Sequence, residues 1–201
     1  MKMFSFTTYR ILRFLAVCWV HICHPIIRVK GRENIPDGAV VICCNHSSFS
    51  DPVYLLGKAF LPAPVRIMAK QELMNIPVLG WIYQKLGAIP LDRNGNDLTA
   101  IKTAMKTLRE GTKLLIFPEG TRVRRGKKSE PHSGAAMLAV RTGSMILPCY
   151  VTAKKRLFGR IDVVYGKPYL PKTSQPKPDN EELMRISCEL MEKIYALGED
   201  I

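Results

Sequence analysis

The feature that most constrains the fold of this chain is an alternation of short apolar runs with segments of helical periodicity. Residues 39–44 and 145–151 are apolar runs typical of strands, whereas residues 98–108 repeat apolar side chains at the helical interval. Alternation of this kind predicts an α/β fold, with a mixed central sheet flanked by helices. The 201 residues, of which 47% are hydrophobic, are enough for one domain with its own core.

No internal repeat and no linker indicates a second domain, so residues 28–201 are predicted to form a single domain that follows a distinct segment at residues 1–27. Strands are predicted at residues 29–32, 39–44, 65–68, 88–91, 113–117, 145–151 and 161–164. Helices are predicted at residues 76–86, 98–108, 135–141 and 181–197. One more helix is expected to begin at Asp51, because Pro52 suits the first helical position.

Residues 1–27 mix aromatic and apolar side chains with Lys2, Arg10 and Arg13. A membrane-spanning helix needs about 20 predominantly apolar residues, and this segment falls short of that and is broken by His21. It has no small-x-small cleavage site, which argues against a signal peptide. The pattern favours an amphipathic helix in the membrane interface, and hence a peripheral or monotopic protein on the cytoplasmic face of the cell membrane. A helix packed on the domain itself is the alternative.

The chain is strongly basic, with 30 Lys and Arg against 17 Asp and Glu and a net charge of +13. Such a charge predicts an anionic partner, which can be nucleic acid, an anionic bilayer or a phosphorylated substrate. The basic residues cluster at 122–128 and 154–160, and solvated loops are the simpler explanation for both clusters. No nucleic-acid-binding motif is recognised, so no nucleic acid partner is expected.

Six cysteines occur without a Cys-x-x-Cys pair, a pattern that favours a reducing cytosol over a disulfide-linked secreted domain. Cys43 and Cys44 lie within an apolar run and are predicted to be small buried hydrophobes. Four potential metal ligands lie close together near the N-terminus: Cys18, His21, Cys23 and His24. They lack the spacing of a zinc finger, so no metal is expected.

The first segment that carries chemistry is NHSSFSD at residues 45–51, which follows the predicted strand 39–44. Histidine is the side chain best suited to move protons near neutral pH. A carboxylate bonded to its other ring nitrogen fixes the tautomer and stabilises the imidazolium. His46 and Asp51 do not share a helix face, but residues 47–50 have the composition of a turn that brings them together. The alternative is that Asp51 only caps a helix.

The second segment is FPEGTR at residues 117–122, at the end of the predicted strand 113–117. Ligand sites in open α/β sheets lie beyond the carboxyl ends of strands. Gly120 allows a tight turn, and Arg122 can bind a phosphate through two parallel hydrogen bonds. Glu119 can accept from a glycerol hydroxyl or hold Arg122. A structural turn with a local Glu–Arg pair is the alternative.

Two further segments, GAIPLDR at residues 87–93 and ILP at residues 146–148, complete a set of four. In their order and spacing, these segments resemble the glycerolipid acyltransferase family, and most closely its bacterial 1-acyl-sn-glycerol-3-phosphate acyltransferase branch. The resemblance runs from about residue 31 to residue 167 and includes AKQEL at residues 69–73. The spacing His-x4-Asp is weak alone, but it is specific when FPEGTR follows roughly seventy residues later.

The resemblance implies a role for each matched residue. His46 is expected to be the catalytic base and Asp51 its orienting partner, while Pro148 shapes the site. The residues expected to bind substrate are Lys70, Arg93, Glu119, Gly120, Thr121 and Arg122. The chain departs from the pattern at residues 131–133, which read PHS where relatives often have a Lys-rich stretch.

The activity that the resemblance implies is transfer of a fatty acyl group from acyl-ACP or acyl-CoA to the sn-2 hydroxyl of lysophosphatidic acid, forming phosphatidic acid. The expected partners are the anionic membrane surface, the lysophospholipid and the acyl thioester, and no cofactor is expected. The chain has no Gly-x-Ser-x-Gly segment, which disfavours a covalent serine intermediate. Three alternatives stay open: another acceptor such as glycerol 3-phosphate or a different lysophospholipid, a basic nucleic-acid-binding protein, and an inactive membrane scaffold.

Overall fold

A computed structural model describes residues 6–56, 65–92, 97–123, 129–199 and 201. Helices and strands alternate through these ranges, which confirms the predicted α/β fold. The helices are α1 (Phe6–Cys23), α2 (Asp51–Leu56), α3 (Leu79–Lys85), α4 (Leu98–Arg109), α5 (Gly134–Thr142) and α6 (Asn180–Ala196). The strands are β1 (Ile27–Lys30), β2 (Val40–Cys44), β3 (Val65–Lys70), β4 (Ile89–Leu91), β5 (Lys113–Ile116), β6 (Met145–Val151) and β7 (Ile161–Tyr165).

Two predicted elements begin two or more residues away from their observed starts. The first strand ends at Lys30, because Gly31 adopts a φ of 70° and turns the chain into a short 3-10 helix, Arg32–Asn34. The helix predicted at 76–86 is confined to α3. Its start is delayed because Pro77 restricts the preceding Ile76 to an extended conformation.

The seven strands form one sheet in the order β1-β7-β6-β2-β5-β3-β4. Every neighbouring pair is parallel except β6 and β7, which makes the sheet mixed, as predicted. The carboxyl ends of β2, β3, β4, β5 and β6 therefore meet at one edge. The segments that follow β2 and β5, together with Lys70 at the end of β3, carry most of the described residues singled out in the sequence, so the topology brings them to a common place.

The core lies on both faces of the sheet. Alternate residues of β2 point to opposite sides: Val40 and Ile42 join one hydrophobic cluster, while Val41 and Cys43 join the other. The first cluster includes residues of α1 and α2, and the second is covered by α4, α5 and α6. Because β2 is buried on both sides, its sequence is a continuous apolar run rather than an alternating one.

Helix α1 is attached to the domain at its C-terminal end. Val20 is buried in the first cluster, and the imidazole of His24, just beyond the helix, donates to the carbonyl of Gly159 over 3.1 Å. The same helix leaves Phe14, Trp19 and Ile22 more than half exposed. Within the part of the chain that the structure describes, no helix combines the length and the apolar character needed to cross a bilayer.

Candidate active site

His46 and Asp51 are brought together by the turn between β2 and α2. The Nδ1–H group of His46 donates to Asp51 Oδ2 over 2.8 Å. The same oxygen accepts the backbone N–H groups of Ser47 and Ser48, each over 2.7 Å. Asp51 thus accepts hydrogen bonds both from the turn that precedes it and from the ring of His46. Its contacts therefore go beyond those of a residue that only caps a helix.

Asp51 is fully buried, and a buried carboxylate needs compensation. Its second oxygen, Oδ1, lies 2.6 Å from the ammonium nitrogen of Lys155, which is on the loop after β6. Burial raises the pKa of Asp51, but the hydrogen bond from His46 and the charge of Lys155 outweigh it, so the net pKa is lowered. The carboxylate is therefore ionised at neutral pH.

The second sequence segment and Val123, which follows it, hold His46 from three directions. Glu119 Oε2 accepts the backbone N–H of His46 over 2.8 Å, and the carbonyl of His46 accepts the N–H of Val123 over 2.8 Å. The ring of Phe117 stacks on the imidazole, with centroids 4.2 Å apart. These contacts fix both the backbone and the ring plane of His46, which explains why the two segments occur together.

Glu119 is buried, with only 1% of its surface exposed. Its second oxygen accepts a hydrogen bond from the hydroxyl of Tyr195 in α6. Burial raises the pKa of Glu119, and the hydrogen bonds from Tyr195 and His46 oppose that rise. The structure thus assigns both carboxylate oxygens to protein donors, while the expectation that Glu119 binds the acceptor stays a prediction.

A cleft of about 610 Å³ opens beside His46. Five residues predicted from sequence line it: His46, Lys70, Gly120, Thr121 and Arg122. Much of the remaining wall is apolar and includes Ile67, Met68, Leu73, Tyr83, Ile101, Phe117, Met137 and Leu138. The cleft therefore combines His46, two cations, the carboxylates of Asp92 and Asp97, and an apolar surface large enough for a hydrocarbon chain.

The two cations of the cleft are exposed and loosely held. The guanidinium of Arg122 lies 3.6 Å from the ring centroid of Phe49, a cation–π contact. Lys70 pairs with Glu72 over 2.7 Å, and both side chains are about half exposed. Exposed pairs of this kind contribute little to stability, so both cations are free to rearrange around an anion. Arg93, the third predicted cation, lies outside the described residues.

Gly120 meets the requirement for a residue without a side chain. Its φ is 65°, and a Cβ there would lie 2.3 Å from the ring of His132, which also lines the cleft. His132, in the stretch where the sequence departs from the family pattern, thus faces the same cleft as Gly120. Pro148 is buried within β6, beside Cys43 of β2.

The cysteines near His46 are not prepared for nucleophilic attack. Cys43 and Cys44 are fully buried, and burial raises the pKa of both thiols. A thiol nucleophile needs the opposite shift of pKa, which favours the thiolate.

The potential metal ligands near the N-terminus do not form a metal site in the structure. The ring of His21 donates to the carbonyl of Val17. No group of three or more His, Cys, Asp or Glu side chains among the described residues is arranged to hold a metal ion.

Sequence reasoning missed three residues that shape the site. Lys155 was seen only as a member of a basic cluster, and Tyr195 only as part of a helix. Asn45 pairs with the end of β6: its amide donates to the carbonyl of Val151 over 3.0 Å and accepts the N–H of Val151 over 2.8 Å. Of the three, only Asn45 could have been recognised from the sequence, because it adjoins His46 in the first segment and directly follows a buried strand.

Comparison with known proteins agrees with this geometry. The profile of the family described as Acyltransferase matches residues 26–152. The 1-acyl-sn-glycerol-3-phosphate acyltransferase of Bacillus subtilis (strain 168) is 32% identical over 177 residues, which cover 85% of this chain and 87% of that protein. The corresponding enzyme of Streptococcus pneumoniae is 27% identical, over 96% of this chain and 74% of that protein.

The fold has a solved counterpart. The crystal structure of the 1-acyl-sn-glycerophosphate (LPA) acyltransferase PlsC from Thermotoga maritima aligns with a TM-score of 0.68 and 25% identity. The alignment covers 95% of this chain and 79% of that one. Together with the matched profile and the Bacillus subtilis relative, it confirms the resemblance found in the sequence: the chain belongs to the Acyltransferase family.

Proposed function

We propose that this chain transfers a fatty acyl group from an acyl thioester to the sn-2 hydroxyl of lysophosphatidic acid, with His46 as the general base. The relatives named above are acyltransferases of that acceptor, and the proposal extends their activity to this chain. The observation that carries it is the hydrogen bond from His46 to Asp51, where His46 lines a cleft that holds two cations and a largely apolar wall.

The tautomer of the neutral His46 ring follows from its hydrogen bond to Asp51. Because Nδ1 donates its proton to the carboxylate, the neutral ring carries its lone pair on Nε2. Nε2 takes the proton of the sn-2 hydroxyl as the oxygen attacks the thioester carbonyl, and Asp51 stabilises the imidazolium that forms. When the C–S bond breaks, His46 returns the proton to the thiolate, so an ester and a free thiol are released. Base catalysis of this kind contributes about 10²- to 10⁴-fold.

The cleft supplies binding groups for both parts of the acceptor. Arg122 and Lys70 both line the cleft and are the proposed contacts of its phosphate, with Arg122 able to make a bidentate contact. The apolar wall accommodates a fatty chain. The donor is acyl-ACP or acyl-CoA, both anionic, and the basic surface of the chain suits either.

We propose further that residues 1–27 dock the enzyme on an anionic bilayer, as a segment preceding the acyltransferase domain at 28–201. The exposed apolar side of α1 carries Phe14, Trp19 and Ile22. The loop at 154–160 extends this surface, because the N–H of Phe158 donates to the carbonyl of Cys23 over 2.8 Å and the side chains of Leu157 and Phe158 are exposed. Basic residues flank these apolar side chains on the loop, as expected for an anionic interface.

The experiment for the proposed reaction is acyl transfer from a labelled thioester to lysophosphatidic acid in vesicles, with wild type and His46→Ala compared. We expect phosphatidic acid from the wild type and a loss of about 10²- to 10⁴-fold in the variant. Activity that persists in His46→Ala would refute the base mechanism and keep the reaction. An inactive wild type with both donors would refute the acceptor, and glycerol 3-phosphate and other lysophospholipids are then tested in the same assay.

The membrane proposal is best tested with point substitutions, because removing residues 1–25 would also remove Val20 and His24 from the core. We expect Trp19→Ser with Ile22→Ser to weaken flotation with vesicles of anionic lipid. The matched control is Leu98→Ser with Leu170→Ser, which removes two equally exposed leucines elsewhere. Equal flotation of the two double variants would refute docking through α1.

A further inference from the structure

Lys155 has an unusual position for a lysine in a basic loop. Its side chain is only 9% exposed, whereas its neighbours Lys154 and Arg156 are exposed. The ammonium nitrogen lies 2.6 Å from Asp51 Oδ1, 2.9 Å from Ser47 Oγ and 2.6 Å from the carbonyl oxygen of Thr152. The contacts with Ser47 and Thr152 are hydrogen bonds, and the contact with Asp51 is an ion pair.

The position of Lys155 complements that of His46. His46 bonds one oxygen of Asp51 and Lys155 bonds the other, so the carboxylate is held between two cationic or hydrogen-bonding groups. Lys155 also bonds Ser47, whose backbone N–H donates to the same carboxylate. The loop after β6 is thereby joined to the turn after β2 at the point where the proton-transfer pair forms.

We propose that Lys155 is a positioning residue for acyl transfer: its ammonium group fixes the carboxylate of Asp51 in the orientation that bonds His46. The proposal rests on the roles proposed above for His46 and Asp51. Lys155 acts through Asp51 and does not contact the reacting atoms. An exposed loop lysine would serve only solubility or binding of anions, and the burial of this one indicates a different role.

The groups around Asp51 show why a cation is needed there. His46 faces it from the turn after β2, and Lys155 from the loop after β6. Glu119, Cys44 and Tyr54 also lie close enough to interact with it, and none of them supplies positive charge. Without the charge of Lys155, the pKa of Asp51 would be higher than in the wild type, because one of the groups that lower it would be missing. Asp51 would then become protonated at a higher pH than in the wild type.

The kinetic test compares Lys155→Met with the matched control Lys177→Met, which removes an exposed lysine from the loop before α6. We expect kcat to fall about 10- to 100-fold in Lys155→Met, within the range that general-base catalysis supplies, and to be unchanged in Lys177→Met. The acid side of the pH–rate profile should move to higher pH, because activity requires ionised Asp51. Lys155→Arg keeps the charge and should recover part of the loss. Unchanged kcat in Lys155→Met would overturn the proposal.

A double-mutant cycle separates positioning from a general structural effect. If Lys155 acts through Asp51, then Lys155→Met should cost little further activity when Asp51→Asn is already present. A full additive loss in the double variant would contradict the proposal, because it would mean that Lys155 contributes independently of Asp51.

A third measurement does not depend on the reaction. The carboxyl carbon of Asp51 is followed by NMR titration in the full chain, in wild type, Lys155→Arg and Lys155→Met. We expect Asp51 to titrate at clearly higher pH in Lys155→Met only; an unchanged titration overturns the proposal. If Lys155→Met does not fold, Lys155→Gln replaces it in all three measurements. If lysophosphatidic acid is not the acceptor, this titration is unaffected. A wrong acceptor can therefore be distinguished from a wrong role for Lys155.

Discussion

Two groups of residues at the site are held differently. In the buried group, His46 and Asp51 are held by hydrogen bonds to backbone and buried side chains, and Asp51 is completely shielded from solvent. In the exposed group, Lys70 makes a surface ion pair and Arg122 a cation–π contact. The proposed proton transfer requires fixed geometry, whereas the phosphate of the proposed acceptor has to enter and leave.

The two groups should therefore respond differently to substitution. Contacts of the buried group come from β2, β5, the loop after β6 and α6, so a change at one residue disturbs several elements. The exposed group depends on few contacts, so a change there should alter substrate affinity and little else. Substitutions in the two groups should separate effects on kcat and stability from effects on KM.

The largest effect is expected for Asp51→Asn. An uncharged amide cannot stabilise the imidazolium and leaves Lys155 without its counter-ion, so kcat should fall by about 10³-fold or more. KM for the acceptor should stay within about threefold, because Asp51 does not line the cleft. Steady-state kinetics in vesicles measures both constants. A variant with normal kcat and raised KM would mean that Asp51 acts in acceptor binding rather than in proton transfer.

Glu119→Ala should mainly affect stability. The substitution leaves the N–H of His46 and the hydroxyl of Tyr195 without their buried acceptor, so the free energy of unfolding should fall by about 2–4 kcal/mol. Denaturant unfolding measures this loss. The control is Glu110→Ala, which removes an exposed partner of Lys106 and should change stability by less than about 0.5 kcal/mol. Equal stability of the two variants would contradict a structural role for Glu119.

Arg122→Ala should have a smaller effect, confined to binding. Loss of a phosphate contact should raise KM for lysophosphatidic acid about tenfold, with little change in kcat. A monoacylglycerol, which lacks the phosphate, should be used equally well by the variant and the wild type. Arg109→Ala removes an exposed arginine of α4 and serves as the control. A fall in kcat with both acceptors would mean that Arg122 supports the chemistry rather than the affinity.

The smallest effect is expected for Cys43→Ala combined with Cys44→Ala. Both thiols are fully buried with raised pKa, so neither is available as a thiolate near neutral pH. Acyl transfer should change by less than about threefold. An abolished activity in a folded double variant would indicate a covalent thioester intermediate and would contradict direct transfer.

Several features of the site followed from the sequence because they are local. The pair His46 and Asp51 is joined by one turn, and the composition of residues 47–50 predicts that turn. The ends of the strands before the two segments followed from apolar runs: β2 ends at Cys44, as predicted, and β5 ends at Ile116, one residue before the predicted end. The bounds of α3 were predicted less well, because the restriction that Pro77 places on Ile76 acts on the backbone and leaves the apolar periodicity intact.

The contacts that hold the site could not be derived in the same way. Lys155 bonds Ser47 across 108 positions in the chain, and Tyr195 bonds Glu119 across 76. No local pattern marks either residue, since a lysine among basic residues and a tyrosine in an amphipathic helix are both ordinary. Their partners depend on which strands are neighbours in the sheet.

The amino-acid order thus established the α/β alternation, the two reactive segments and the family resemblance, because these depend on short-range periodicity and on residues close in the chain. The strand order, the burial of Lys155 against Asp51 and the assignment of Glu119 to His46 and Tyr195 came from the folded chain. Those features arise from packing between distant segments, where burial removes water and makes each charge depend on the partner that folding supplies.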